Sequence, residues 1–107
     1  MTDSWGRVAA SRPASSAEAQ LYLVPASTEF MGQLWVCNQD SSTIDFSVAL
    51  TDTSGAAAGE DWLVYEKSLA SGSFETLSFS MGAGESLRIK ASSANVVSFV
   101  LEGLVIT

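Results

Sequence analysis

Thr43-Ile44-Asp45-Phe46-Ser47-Val48-Ala49-Leu50 is the stretch that decides the fold. Ile44, Phe46, Val48 and Leu50 recur at every second residue, with Asp45 and Ser47 between them. A period of two places one set on the core face of a β-strand and the other towards solvent. The polar turn Asn38-Gln39-Asp40-Ser41-Ser42 precedes it, and the small, polar Thr51 to Gly59 follows as the longest loop.

The same grammar extends in both directions. Gln20 to Val24 reads as a strand ended by Pro25. Phe30 to Asn38 puts Leu34, Val36 and Asn38 on one face and Trp35 and Cys37 on the other. Trp62 to Leu69 restarts the sheet, and Ser71-Gly72 reads as a tight hairpin turn. Phe74 to Met81 carries Leu77, Phe79 and Met81 on one face. Gly82-Ala83-Gly84-Glu85 turns the chain into Ser86 to Lys90, with Leu87 and Ile89 inward. After the turn Ser92 to Asn95, Val96 to Thr107 is apolar on both faces and carries one charge, Glu102. Such a strand lies centrally in a sheet or against another subunit. The expected fold is all-β: a single antiparallel β-sandwich of about eight strands, jelly-roll-like, with an N-terminal arm. Its expected core is Ile44, Phe46, Val48, Leu77, Phe79, Leu87, Ile89, Phe99 and Leu101.

The N-terminal part has a different composition. Residues 1–19 include the strand-like Gly6-Arg7-Val8-Ala9-Ala10, then a small polar stretch broken by Pro13. The segment reads as an arm or an edge strand, and residues 20–107 as the sandwich domain. As an arm, its Arg7 and Arg12 beside Trp5 would suit docking on an acidic neighbour. Ala-rich Ser16 to Gln20 is too short for an independent helix.

The composition argues against several functions. With 107 residues, 12 acidic and 5 basic, the formal charge is −7. That opposes binding to nucleic acid or to an anionic membrane, both of which need clustered cations. The N-terminus lacks the pattern of a signal peptide, so synthesis in the cytoplasm is expected. There is no histidine, and the one cysteine, Cys37, sits in an apolar strand. General-base and nucleophilic catalysis are poorly served by this set. Glu60-Asp61 are adjacent on the chain and would point to opposite faces of a strand, which defeats a shared catalytic role. Calcium there would need further oxygens, from Asp52 or Asp40. Gly82 to Glu85 lacks the lysine and hydroxyl of a phosphate loop. No catalytic residue, cofactor or metal ligand is assigned.

The aromatic residues remain. Trp5, Trp35, Trp62, Tyr22 and Tyr65 could form a carbohydrate platform, or serve as core and interface anchors. Trp5, Arg7, Arg12, Trp35 and Trp62 are the candidate interface residues. The surplus of apolar side chains in the last strand and in Trp5 and Trp35 leads to an expected homo-oligomer, with a trimer as the expected form.

One wider pattern joins these pieces. Leu21-Tyr22-Leu23-Val24-Pro25 is followed by an apolar strand ending in Asn38 and by Val48-Ala49-Leu50. Then come Asp61-Trp62-Leu63-Val64-Tyr65, Leu69, Ala83-Gly84-Glu85-Ser86-Leu87-Arg88-Ile89 and Ser92-Ser93-Ala94-Asn95-Val96, ending near Gly103. From about Ala17 onward the chain resembles the small β-sandwich virion proteins of tailed bacteriophages, which are head-decoration, tail or fibre-associated. It departs from them at Ala26-Ser27-Thr28, where members often have an Ala-Gly-Lys turn. The resemblance implies a structural, non-enzymatic role in a virion, contacts with other capsid or tail proteins, and no cofactor. A carbohydrate-binding β-sandwich module is the alternative.

Overall fold

A computed structural model describes residues 3–52 and 55–107. Met1 and Thr2 of the N-terminal segment, and Thr53 and Ser54 of the long loop, lie outside the described residues.

Among the described residues, eight strands form two antiparallel four-stranded sheets. They are β1 (Asp3–Ser11), β2 (Ala19–Leu23), β3 (Glu29–Asn38), β4 (Ile44–Thr51), β5 (Trp62–Leu69), β6 (Phe74–Met81), β7 (Ser86–Ala91) and β8 (Val97–Ile106). A 3-10 turn, Gly59–Asp61, leads into β5. One sheet has the order β1-β8-β3-β6 and the other β2-β7-β4-β5. Every connection except β4 to β5 therefore crosses between sheets. That interleaving is the double-Greek-key order of a jelly roll.

The core lies where alternation puts it. Ile44, Phe46, Val48, Leu87, Ile89, Phe99 and Leu101 are buried, joined by Phe30, Leu34, Val36 and Val97. Leu77 and Phe79 differ from expectation: they are only half-buried against this cluster. The reason is position, because β6 is an edge strand and its inward side chains sit at the open flank. Ser71-Gly72 is also a correction. Gly72 adopts φ 73°, and Ser73 N–H closes a turn on the Ala70 carbonyl at 3.0 Å. Yet β5 and β6 do not pair, and the turn carries the chain from one sheet to the other. Turn chemistry fixes the reversal and leaves the partner open.

The N-terminal segment is an edge strand rather than a free arm. β1 pairs with β8 from Asp3 to Ser11, with a bulge between Arg7 and Ala9. Beyond it, the Pro13 carbonyl accepts the Asn95 N–H at 2.8 Å. Ser16 to Gln20 forms no helical turn, and β2 starts within it at Ala19.

Asn38 is a fully buried polar residue at the end of β3. Its Nδ2 donates to the carbonyls of Ser42 and Leu69 at 3.0 and 2.9 Å, and its Oδ1 accepts the Asp40 N–H at 2.8 Å. Its backbone N–H donates to the Ser73 carbonyl, and its carbonyl accepts the Gly72 N–H. One side chain thus ties the β3–β4 turn to the β5–β6 crossing. Asn38→Leu keeps the volume but removes three hydrogen bonds to backbone groups, the buried one to the Leu69 carbonyl among them. A loss of about 2–3 kcal/mol is expected in urea unfolding.

A second polar anchor holds the β1–β2 linker. The Glu18 carboxylate ion-pairs with Arg88 on β7 and accepts the Ala57 N–H at 3.0 Å. Burial pushes its pKa up. The hydrogen bonds from Ala57 and Arg88 and the charges of Arg88 and Lys90 outweigh that, so it lies below the ordinary 4.5. A carboxylate depressed on folding stabilises above its unfolded value and loses that contribution as pH falls through the folded one. Glu18→Gln is therefore expected to cost about 1 kcal/mol at pH 7, discounted for partial exposure. The gap to the wild type should close as pH falls below 4.5, which urea midpoints across pH would follow.

Candidate functional site

The outer face of the β1-β8-β3-β6 sheet is built by register. Residues paired across antiparallel strands point to the same side. Trp5, Leu104, Met31 and Ser80 form one transverse row, and Arg7, Glu102, Gln33 and Ser78 the next. Ala10, Val100, Trp35 and Thr76 make the third, and Cys37 and Phe74 close the face. A single polar row is flanked by apolar ones.

Large side chains stand exposed here: Trp5 is 74% accessible, Phe74 63%, Met31 49% and Trp35 37%. Val100, Leu104 and Cys37 are half-buried between them. Exposed apolar rows set beside a polar one are a usual mark of a protein contact.

The polar row organises the aromatic ones. The Glu102 Oε1 accepts hydrogen bonds from Gln33 Nε2 at 3.0 Å and from the Trp35 indole Nε1 at 2.8 Å. These two donors hold the Glu102 carboxyl below its usual range. Trp35 also packs on Phe74, with ring centroids 5.7 Å apart and planes at 30°. The indole is thereby fixed on the free surface, and a pre-fixed aromatic anchor loses little entropy on binding.

The floor of the face is drawn in by glycine. Gly6, Gly103 and Gly32 lie side by side across β1, β8 and β3. A Cβ on Gly32 would stand 2.1 Å from the Glu102 carbonyl oxygen and 2.6 Å from the Gly103 Cα. The two backbones thus approach more closely than any other residue type allows, leaving a shallow depression between Trp5 and Ser78. A glycine inside a strand-like run is the sequence signal for such an approach.

The structure brings together Trp5, Arg7 and Trp35, and leaves Arg12 exposed just beyond the end of β1. Trp62 is not among them. It lies on β5 in the other sheet, edge-on to Tyr65 with centroids 5.3 Å apart. Tyr22 packs on Phe30 at the core. The five aromatic residues proposed as a carbohydrate platform thus divide among three places: Trp5 and Trp35 on this face, Trp62 with Tyr65 on the other sheet, and Tyr22 at the core. Met31 and Phe74 belong to the face and were missed, since only register with β8 and β3 reveals them.

The acidic candidates serve local turns. Asp61 Oδ2 accepts the Ala58 N–H at 2.7 Å, and Asp40 accepts the Ser41 N–H and the Ser42 hydroxyl. Among the described residues, no group of three or more cysteine or acidic side chains is placed to hold a metal. Gly82 to Glu85 is a tight turn, with Gly84 at φ 84° and the Glu85 N–H donating to the Gly82 carbonyl at 3.2 Å.

No model of a known protein family matches the chain, and no curated protein matches it. Solved structures do. A chain of infectious bursal disease virus, Gx strain, aligns over 98% of this chain at 11% identity and TM-score 0.50. This chain spans about a third of that one, covering 32% of it. The coat protein of tobacco streak virus aligns over 94% of this chain and 85% of its own, at 11% identity and TM-score 0.49. A xylanase 10B from Clostridium thermocellum, comprising CBM22-1 and GH10 modules, aligns over 87% of this chain and 19% of its own, at 18% identity and TM-score 0.39. At 11% identity the likeness to the infectious bursal disease virus chain is one of fold.

Proposed function

We propose that the chain is a non-enzymatic structural protein of a bacteriophage virion, a head-decoration protein or a tail or fibre component, acting through protein contacts. The observation that carries this reading is the outer face of the β1-β8-β3-β6 sheet. It presents Trp5, Met31, Trp35 and Phe74 to solvent, with Trp35 locked by Glu102. Jelly rolls serve viral capsids and lectins alike, so the fold alone does not choose between them. The face favours the structural reading, because its rings are spread over an extended surface and mixed with Met31, Val100 and Leu104, as in a protein contact. The fold shared with the infectious bursal disease virus chain and the resemblance of the Leu21-to-Gly103 pattern support the same reading.

Within it, the outer face docks on a capsid or tail neighbour, and the protein localises to the virion after synthesis in the host cytoplasm. Self-association belongs to the same reading. The trimer expected from the sequence has no counterpart in an observed feature of the fold. Immunogold electron microscopy of particles from the host that makes this chain tests the reading. Regularly spaced label on heads or tails is expected. Label confined to material free of particles would overturn it.

A further inference from the structure

The four sheet edges are not alike. β1 is interrupted by a bulge between Arg7 and Ala9. β2 spans only Ala19–Leu23 and is bulged between Gln20 and Tyr22. β5 carries two register shifts and places Glu66 at φ 49°, with exposed Lys67 next to it. Bulges, short length and lysine are the devices by which sheets keep their edges from pairing with other chains. β6 alone of the four runs without a register shift. It runs in unbroken register with β3 from Phe74↔Cys37 to Met81↔Phe30, with no residue at positive φ. Its only charge, Glu75, stands on the inward side at one end of the strand and ion-pairs with Lys67 of β5 at 2.8 Å.

We infer that the free edge of β6 pairs antiparallel with β6 of a second copy of this chain, joining two β1-β8-β3-β6 sheets into one of eight strands. In an antiparallel ladder alternate residues direct both N–H and C=O to the same side, so half of β6 offers these groups outward. The side chains on the two faces of β6 fit the same partner. Leu77 and Phe79 point inward but stay half-buried at the open flank. A two-fold axis near Ser78 sets each Leu77 beside the partner's Phe79 and covers both. On the outer side the strand presents Thr76, Ser78 and Ser80, small enough to meet their counterparts without a clash. The local neutrality matters too, since two chains of charge −7 repel elsewhere.

The contact is isologous and closes as a dimer. It uses the edge and leaves the outer face with Trp35 and Trp5 free, so it stands independently of the proposed virion role. Cysteine cross-linking tests it. Cys37 is first replaced by serine to remove the native thiol. Directly opposed residues in an antiparallel pair place their Cβ atoms about 5 Å apart. Ser78→Cys in that background is expected to form a disulfide-linked dimer at least tenfold faster than Ser4→Cys on the edge strand β1. Concentration-dependent amide exchange gives the second readout: protection should rise in β6 and not in β1, β2 or β5. A monomer by light scattering at about 1 mM, equal cross-linking at the two positions, or new protection at β1 instead of β6 would each overturn the inference.

Discussion

Gly32→Ala is expected to unfold a large share of the protein, costing about 4 kcal/mol against a total of about 5–15 kcal/mol for a domain. The added methyl meets the Glu102 carbonyl oxygen at 2.1 Å and the Gly103 Cα at 2.6 Å. Both are backbone atoms in β8, which is held between β1 and β3. No rotamer change relieves the overlap, so β3 and β8 must part at the centre of the sheet. Ordinary overpacking costs about 1–3 kcal/mol when side chains can yield, and here none can. Urea unfolding would read the loss. Gly59→Ala is the control, because a Cβ there has nothing within 4 Å, and it should leave the midpoint unchanged.

Phe46→Ala is expected to cost about 3–5 kcal/mol, the range for a large aromatic removed from a core. Phe46 is 1% exposed on β4 and sits in the cluster with Phe30, Phe99 and Leu87. The sandwich closes from both sheets, so neither can collapse far into the vacated space. Phe74→Ala is the contrast. That ring is 63% exposed, and its loss should shift stability by about 0.5 kcal/mol or less. Equal losses at the two positions would mean that the inward and outward faces had been assigned wrongly.

Much of this architecture was readable from period two alone. Alternation in Ile44 to Leu50 and Phe74 to Met81 marks strands and their inward sides, because burial selects one face of a pleat. Alternation says which way a residue points and nothing of which strand lies beside it. Hence Ser71-Gly72 read as a hairpin, although β5 and β6 belong to different sheets. Leu77 and Phe79 read as core for the same reason, since edge position is a property of strand order. Arg7 and Trp5 could be an arm or a strand until pairing with β8 decided between them. Asn38 and Glu18 act through partners distant in the chain, Leu69 and Arg88, which no local pattern announces. Gly32 was legible in principle, as a glycine within an apolar run, but its meaning depends on Gly103 lying opposite.

The same reasoning applies to the proposed docking surface. Trp5 and Trp35 stand out in an acidic chain as apolar surplus, whereas their union with Met31 and Phe74 exists only after β8 has inserted between β1 and β3. Trp62 shows the converse, a candidate of the same residue type that topology sends to the other sheet.

The most direct measurement is co-sedimentation of the tagged protein with virions purified from the host that makes it, comparing the wild type with Trp35→Glu. The substitution removes the ring packed on Phe74 and sets a carboxylate beside Glu102, while circular dichroism verifies that the variant remains a folded β protein. The wild type should sediment with particles and the folded variant should stay in the supernatant. Wild-type protein that stays in the supernatant, or a variant that sediments as fully as the wild type, would contradict docking through this face.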